Sequence, residues 1–320
     1  MLSTVYSYTS TAPLYSVSWS KRTDKPLRVA ATSFVNQIRN VCQVFTIDDV
    51  NSKLIKSCEF EVEYPPTKVQ FSPEQSTTKD LLVVGGLKPQ ILEIKNEVIS
   101  SVATLGMVTD VPSPCSSLDW NCTKPDLLLT CSLDSTVTLW SVSSCNSIKK
   151  LIAHEKEVYD IAFSDNPDVF STVGGDGSLR MFDLRSLEHS TILYETTNLV
   201  PLLRLSYNKF DSHFIATFSS DSTKVIVIDT RKPAVPYVEL SQPHSLVNAV
   251  CWSPHCSTHL CSASSDQKAL LWDLFPVESG GQPQMFQFQI DKQVNDISWC
   301  PLDKNLISFT AGNQVYVVEI

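Results

Sequence analysis

Ala153–Arg185 reads AHEKEVYDIAFSDNPDVFSTVGGDGSLRMFDLR, three short apolar runs separated by turn residues. Val158, Ile161 and Phe163 form the first run, Val169, Phe170, Thr172 and Val173 the second, and Leu179, Met181 and Phe182 the third. Runs this short, bounded by Asn166-Pro167-Asp168 and Gly175-Asp176-Gly177, are strands rather than helices. The Gly-Asp-Gly cluster predicts a two-residue hairpin turn with positive φ, and Thr191–Tyr194 offers a fourth strand. One four-stranded sheet buries too little to stand alone, so the unit requires neighbours of the same construction.

Those neighbours are present. An apolar residue, two variable residues, an apolar residue, one further residue and an aromatic recur as Leu14-Val17-Trp19, Cys115-Leu118-Trp120, Val158-Ile161-Phe163, Leu202-Leu205-Tyr207, Val247-Val250-Trp252 and Val294-Ile297-Trp299. Pro66-Val69-Phe71 is a weaker seventh copy. Each aromatic is followed by a second anchor that ends a third strand: Phe45, Leu92, Trp140, Phe182, Ile228, Trp272 and Val318. The spacing of roughly forty to fifty residues is that of WD-type blades and exceeds that of the common helical repeats. The expected fold is all-β, a seven-bladed WD-repeat β-propeller forming one domain over 1–320. Its blades fall at roughly 14–48, 64–95, 113–142, 153–185, 201–231, 243–274 and 291–320. The last unit supplies three strands, so 2–9 is expected to close the ring as its outer strand. The stretches between Leu92 and Ser116 and from Pro276 to Pro283 read as surface connections.

The formal net charge of −9 disfavours direct binding to nucleic acid. No apolar run is long enough to span a membrane, and residues 1–20 lack the basic and apolar regions of a signal peptide. Ten scattered cysteines fit buried free thiols in a reducing compartment, with no disulfides. The expectation is a monomeric protein of cytoplasm and nucleus.

Polar residues recur around the third strand. Asp134, Asp176 and Asp266 stand six residues before Trp140, Phe182 and Trp272, and four after Thr130, Thr172 and Ser262. In the sixth unit His244, Ser262, Asp266 and Trp272 are expected to form a hydrogen-bonded chain that satisfies buried polar groups. The fourth unit has Phe182 where that chain needs an indole donor, and the third has no His, so one full set is expected. A hydrolase triad from the same residue types is set aside, because Ser262 lies within a strand without a nucleophile elbow or oxyanion donors. Gly174-Gly175-Asp176-Gly177 lacks the Lys and Ser/Thr of a phosphate loop. Cys251, His255, Cys256, His259 and Cys261 have metal-ligating types without a zinc spacing. No catalytic, cofactor or metal site is assigned.

The runs LIAHEKEVYDIAFS, MFDLRSLEHSTILYE, PLLRLSYNK, ATFSSDSTKVIVIDTR and ALLWDL resemble the Transparent Testa Glabra and Anthocyanin-eleven family of WD-repeat adaptors. TDKPLRVAATSFV, YPPTKVQFSP and DLLVVGG extend the likeness over essentially the whole chain, which departs from the family in a shorter connection between Trp140 and Leu151. The resemblance implies a non-catalytic scaffold. Plant members join basic-helix-loop-helix and MYB transcription factors, animal members bind DYRK- and HIPK-type kinases, and some are counted as cullin-RING ligase receptors.

Two surfaces are expected to serve partners. Phe182-Asp183-Leu184-Arg185 and Ile228-Asp229-Thr230-Arg231 resemble, without their Trp, the boxes by which ligase receptors dock a cullin adaptor, which would put Arg185 and Arg231 at a contact. The alternative is that each Arg pairs with a carboxylate of its own blade. The second surface is the rim formed by the variable pairs of the first strands, where Tyr159, Leu203 and Arg204 have the character of interface anchors. Asp160 and Arg204 are expected either to serve that surface or to pair across the channel.

Overall fold

The computed structural model describes residues 4–36, 39–48, 50–76, 79–106, 113–242, 244–278 and 280–320. Strand β1 (Val5–Thr9) precedes seven sets of strands. The first blade is β2 (Leu14–Trp19), β3 (Arg28–Ser33), β4 (Asn40–Asp48) and β5 (Lys53–Val62); the second is β6 (Val69–Phe71), β7 (Leu81–Val84), β8 (Gln90–Lys95) and β9 (Val98–Thr104). The third is β10 (Cys115–Trp120), β11 (Leu127–Ser132), β12 (Thr136–Ser141) and β13 (Asn146–Ile152), and the fourth is β14 (Val158–Phe163), β15 (Val169–Gly174), β16 (Ser178–Asp183) and β17 (Ser190–Glu195). The fifth is β18 (Leu202–Tyr207), β19 (Phe214–Ser219), β20 (Val225–Asp229) and β21 (Pro236–Leu240). The sixth is β22 (Val247–Trp252), β23 (His259–Ser264), β24 (Lys268–Asp273) and β25 (Gln284–Gln289). The seventh joins β26 (Val294–Trp299), β27 (Leu306–Ala311) and β28 (Gln314–Glu319) to β1. All pairings are antiparallel, and no helix is long and apolar enough to cross a membrane.

The recurring anchors explain each blade's core. Phe163, Phe170 and Phe182 occupy one row across β14, β15 and β16, and all three are buried. Trp120, Leu128 and Trp140 repeat the row in the third blade, and Trp299, Ile307 and Val318 in the seventh. These rows face the preceding blade, so the inter-blade packing is apolar and continuous around the ring.

The spacing of first-strand anchors departs from the strict alternation of a regular strand, and the pairing shows why. In six of the seven first strands one extra residue is inserted after the first anchor, as between Val158 and Asp160 or Leu202 and Arg204. This is a β-bulge, which re-aims the residue that it inserts. The inner edge of each first strand would otherwise present unpaired backbone groups to the channel. Side chains of the preceding blade satisfy them: Asp296 accepts from the Val17 N–H at 2.9 Å, Asp160 from the Leu205 N–H at 2.9 Å, and Asp119 from the Phe163 N–H at 2.7 Å.

Ring closure by the N-terminal strand is present, with Val5–Thr9 in register with Val318–Gln314. Leu2, at the start of the expected 2–9 segment, lies outside the described residues. Three expectations need correction. The stretch after Leu92 contains a strand, β9, whose Val98 and Val102 are exposed; an outermost strand packs one side only and so leaves a weak pattern. Within 276–283, Pro276 belongs to a short helical turn, Phe275–Glu278. The Gly175-Asp176-Gly177 loop has three residues, and only Gly177 among its glycines has positive φ, at 76°. A side chain there would also strike Thr196 and the Leu199 backbone, so the position demands glycine twice over.

Candidate functional site

The first variable residues of the seven units gather at one end of the channel. Tyr15, Thr67, Ser116, Tyr159, Leu203, Asn248 and Asn295, one from each blade, line a cavity of about 320 Å³ at the mouth, together with Phe34 and Leu133 from the adjacent hairpins. Four of the seven have a structural duty. Thr67 donates to the Cys115 carbonyl at 2.8 Å, Ser116 to Val158 at 2.5 Å, Asn248 to Val294 at 2.7 Å and Asn295 to Leu14 at 2.8 Å, each tying its blade to the next. Tyr15, Tyr159 and Leu203 break this rule. They place two phenol rings and an isobutyl group where the other blades place a small bridging donor. Tyr15 is joined by Phe34, their ring centroids 4.9 Å apart, and Phe34 and Leu133 are 44% and 43% exposed. An aromatic and aliphatic rim on a polar channel is the composition of a protein-docking surface.

Beneath the rim lies a layer of charge. Lys68 reaches Asp160 at 3.3 Å across the channel, and the Asp160 carboxylate also accepts from the Ser117 hydroxyl and from the N–H groups of Ile161 and Leu205. Burial opposes its ionisation, but Lys68, Arg204 and these donors outweigh burial and hold the carboxyl below its usual range. The Asp296 carboxyl is pushed up by burial, which Arg204 and the Val17 N–H only partly offset. The expected direct pairing of Asp160 with Arg204 is not formed. Arg204 instead donates from Nη2 to the Tyr15 hydroxyl at 2.8 Å and stacks 5.5 Å from the Tyr15 ring centroid. Lys68 takes the carboxylate because its flexible stem reaches it across the channel.

The expected sixth-blade chain is incomplete. Trp272 donates to Ser262 at 2.9 Å, but the exposed His244 reaches Asp266 through its backbone N–H, at 2.9 Å, rather than through its imidazole. The fully connected histidine lies in the fourth blade. His154 is buried against Gly174, whose missing side chain makes room for the ring; Nδ1 meets Asp176 at 2.9 Å and Nε2 meets Thr172 at 2.7 Å. Arg180 completes the cluster at 2.9 Å from Asp176. Burial resists the Asp176 charge, but His154 and Ser178 overcome it and lower its carboxyl far below the ordinary value. These groups satisfy one another inside the blade, which assigns them to structure.

The cysteine and histidine cluster of the sixth blade does not converge. His255 Nε2 lies 2.8 Å from the Cys300 carbonyl, His259 stacks on Trp299, and among the described residues no group of three or more His, Cys, Asp or Glu side chains is placed to hold a metal. All ten cysteines are unpaired. Arg185 and Arg231 lie at the opposite face from the rim, at the ends of β16 and β20. Each pairs with the carboxylate two residues before it, Asp183 and Asp229, yet their side chains remain 69% and 53% exposed.

Tyr15 belongs to the variable pairs that sequence places on the rim, but sequence does not single it out as an anchor beside Tyr159, and it does not place Phe34 there at all. The signal for Tyr15 is its residue type: within the row of seven variable positions it is one of the three residues that are neither small nor amide.

The WD40 family, described as WD domain, G-beta repeat, matches residues 145–183 and 237–273. Each match runs from the outer strand of one blade through the third strand of the next, so the sequence repeat is offset from the sheet. The chain is 39% identical over 321 residues to the DDB1- and CUL4-associated factor 7 homolog of Dictyostelium discoideum, covering 99% of this chain and 98% of that protein. It is also similar to a WD repeat-containing protein of Saccharomyces cerevisiae, 31% identical over 85% of this chain and 58% of that protein. A histone acetyltransferase type B subunit 2 of Debaryomyces hansenii is 27% identical over 63% of this chain and 54% of its own length. Seven blades, the offset repeat and end-to-end similarity place the chain in the WD40-repeat family, with the DDB1- and CUL4-associated factor 7 homolog as a relative over its full length.

Proposed function

We propose that the chain is a non-catalytic scaffold of cytoplasm and nucleus that docks extended segments of partner proteins at the channel mouth. The partners implied by its family resemblance are DYRK- and HIPK-type protein kinases and basic-helix-loop-helix or MYB transcription regulators. The observation that carries this reading is that Tyr15, Tyr159 and Leu203 lack the donation to a carbonyl of the next blade that their four counterparts make. Large side chains at positions where the other blades use a small donor add apolar surface at the mouth without tying their blade to the next. Pull-down from native extract followed by mass spectrometry tests it. Tyr159→Ala and Arg204→Glu, each with a melting curve close to wild type, should weaken a recovered kinase or transcription-factor segment by about tenfold, on the order of 1.4 kcal/mol. Equal affinity in folded variants would remove the site from this face.

A second reading, substrate receptor of a cullin-RING ubiquitin ligase, is favoured by the similarity to a DDB1- and CUL4-associated factor 7 homolog. Its contact residues would be Arg185 and Arg231. The two readings use opposite faces and are compatible. If an Arg185→Ala, Arg231→Ala double variant stays folded and recovers as much cullin adaptor as wild type, the receptor reading fails.

A further inference from the structure

We infer that the channel mouth is a carboxylate-binding site, and that the segment docking there inserts an Asp or Glu side chain onto Arg204 with an apolar residue beside it on Tyr159 and Leu203. The inference rests on the scaffold reading and specifies its ligand. Arg204 lines the cavity, and the only hydrogen bond of its guanidinium to a described residue runs from Nη2 to the Tyr15 hydroxyl. No described carboxylate lies within ion-pair distance of it. Both nearby carboxylates are committed elsewhere: Asp160 to Lys68, Ser117 and two backbone N–H groups, and Asp296 to the N–H groups of Val17 and Ile297. The layer therefore has its acceptors filled and guanidinium donors open, which selects a ligand that brings acceptors.

A guanidinium presents a planar fork matched to a carboxylate, and here stacking on Tyr15 fixes the plane of that fork before any ligand arrives. Asp160 and Asp296 beside it favour a singly charged ligand group over a phosphate, whose second charge they would repel. At about 320 Å³ the cavity admits a few side chains and no folded domain, so an extended peptide is the occupant. Tyr159, on the same blade as Asp160, and Leu203, on the next, supply the apolar wall for the neighbouring residue.

The test uses the full chain and a phage-displayed library of random linear peptides. Enriched peptides should carry Asp or Glu next to Leu, Phe or Tyr. For a synthetic enriched peptide, replacing that acid by its amide should weaken binding to the wild-type protein about tenfold, a comparison that needs no variant to fold. In Arg204→Gln the acid and amide peptides should bind alike, whereas Tyr159→Ala should weaken both by the same factor. Rim-dependent peptides with no acid preference, or an acid preference that survives Arg204→Gln, would overturn the carboxylate site and leave the scaffold reading standing. Absence of any peptide sensitive to Tyr159→Ala would overturn both.

Discussion

Asp160 combines several contacts in one carboxylate: it neutralises Lys68, accepts from the Ser117 hydroxyl and caps the N–H groups of Ile161 and Leu205, bridging blades two, three, four and five. Replacing it by Asn leaves Lys68 without its partner in a layer where Asp160 is almost fully buried, so Asp160→Asn should destabilise the fold by about 1–3 kcal/mol at neutral pH. Its folded carboxyl lies below the unfolded value of about 3.9, so its contribution is complete above about pH 4 and is lost as pH falls through the folded value. The difference in denaturant midpoint between wild type and variant should accordingly shrink as pH is lowered from about 6 to about 3. A constant difference would mean that shape, rather than charge, holds the layer together. Part of this residue's role was legible in sequence, because Asp160 and Arg204 occupy equivalent positions in adjacent blades. Its actual partner was not, since Lys68 lies 92 residues away and meets it only after the ring has formed.

Strand β1 is the element on which closure depends. Its five residues pair in register with β28, and Tyr8 packs 4.8 Å from Phe45 of the first blade, so one short strand joins the last blade to the first. Deleting residues 1–9 would expose the β28 edge and open the apolar contact between these blades. The melting temperature should fall by about 5 °C or more, and an unchanged calorimetric scan would show that closure does not depend on this strand. Strand existence was readable wherever both faces of a strand are packed, as in Ile215 and Ala216 of β19 or Leu128 and Leu129 of β11. It faded at β9, which is packed on one side. The first two blades, where the repeat is weakest, are stapled by a buried bidentate pair, Arg28 with Asp80 at 2.7 and 2.9 Å, which sequence spacing does not reveal.

At the scale of the ring, the two faces have different characters. The mouth face carries Tyr15, Phe34, Tyr159 and Leu203 around Arg204, and the opposite face carries the exposed pairs of Arg185 with Asp183 and Arg231 with Asp229. The Arg185 side chain and backbone N–H draw the Asp183 carboxyl down to about 2, so it is ionised at physiological pH. The two surfaces share no residue, so filling one makes no direct demand on the other. The Arg185→Ala, Arg231→Ala double variant should therefore bind a mouth-face peptide with wild-type affinity by fluorescence anisotropy, and a tenfold loss would show that the faces are coupled.

Sequence alone determined the architecture, because the anchor rows are local: an aromatic, a turn and a second anchor lie within one repeat, and seven copies admit one closed arrangement. It also determined the polar requirement for Thr130 and Ser262, each within ten residues of the tryptophan that it serves. Tertiary structure decided which of the recurring positions are free. Thr67, Ser116, Asn248 and Asn295 differ from Tyr15, Tyr159 and Leu203 in whether they bond to the next blade, and that blade is more than forty residues away in sequence or, for the last, at the opposite end of the chain. A hydrogen bond between repeats depends on the register of two separate sheets. Closure of the ring sets that register, and no stretch of sequence contains it.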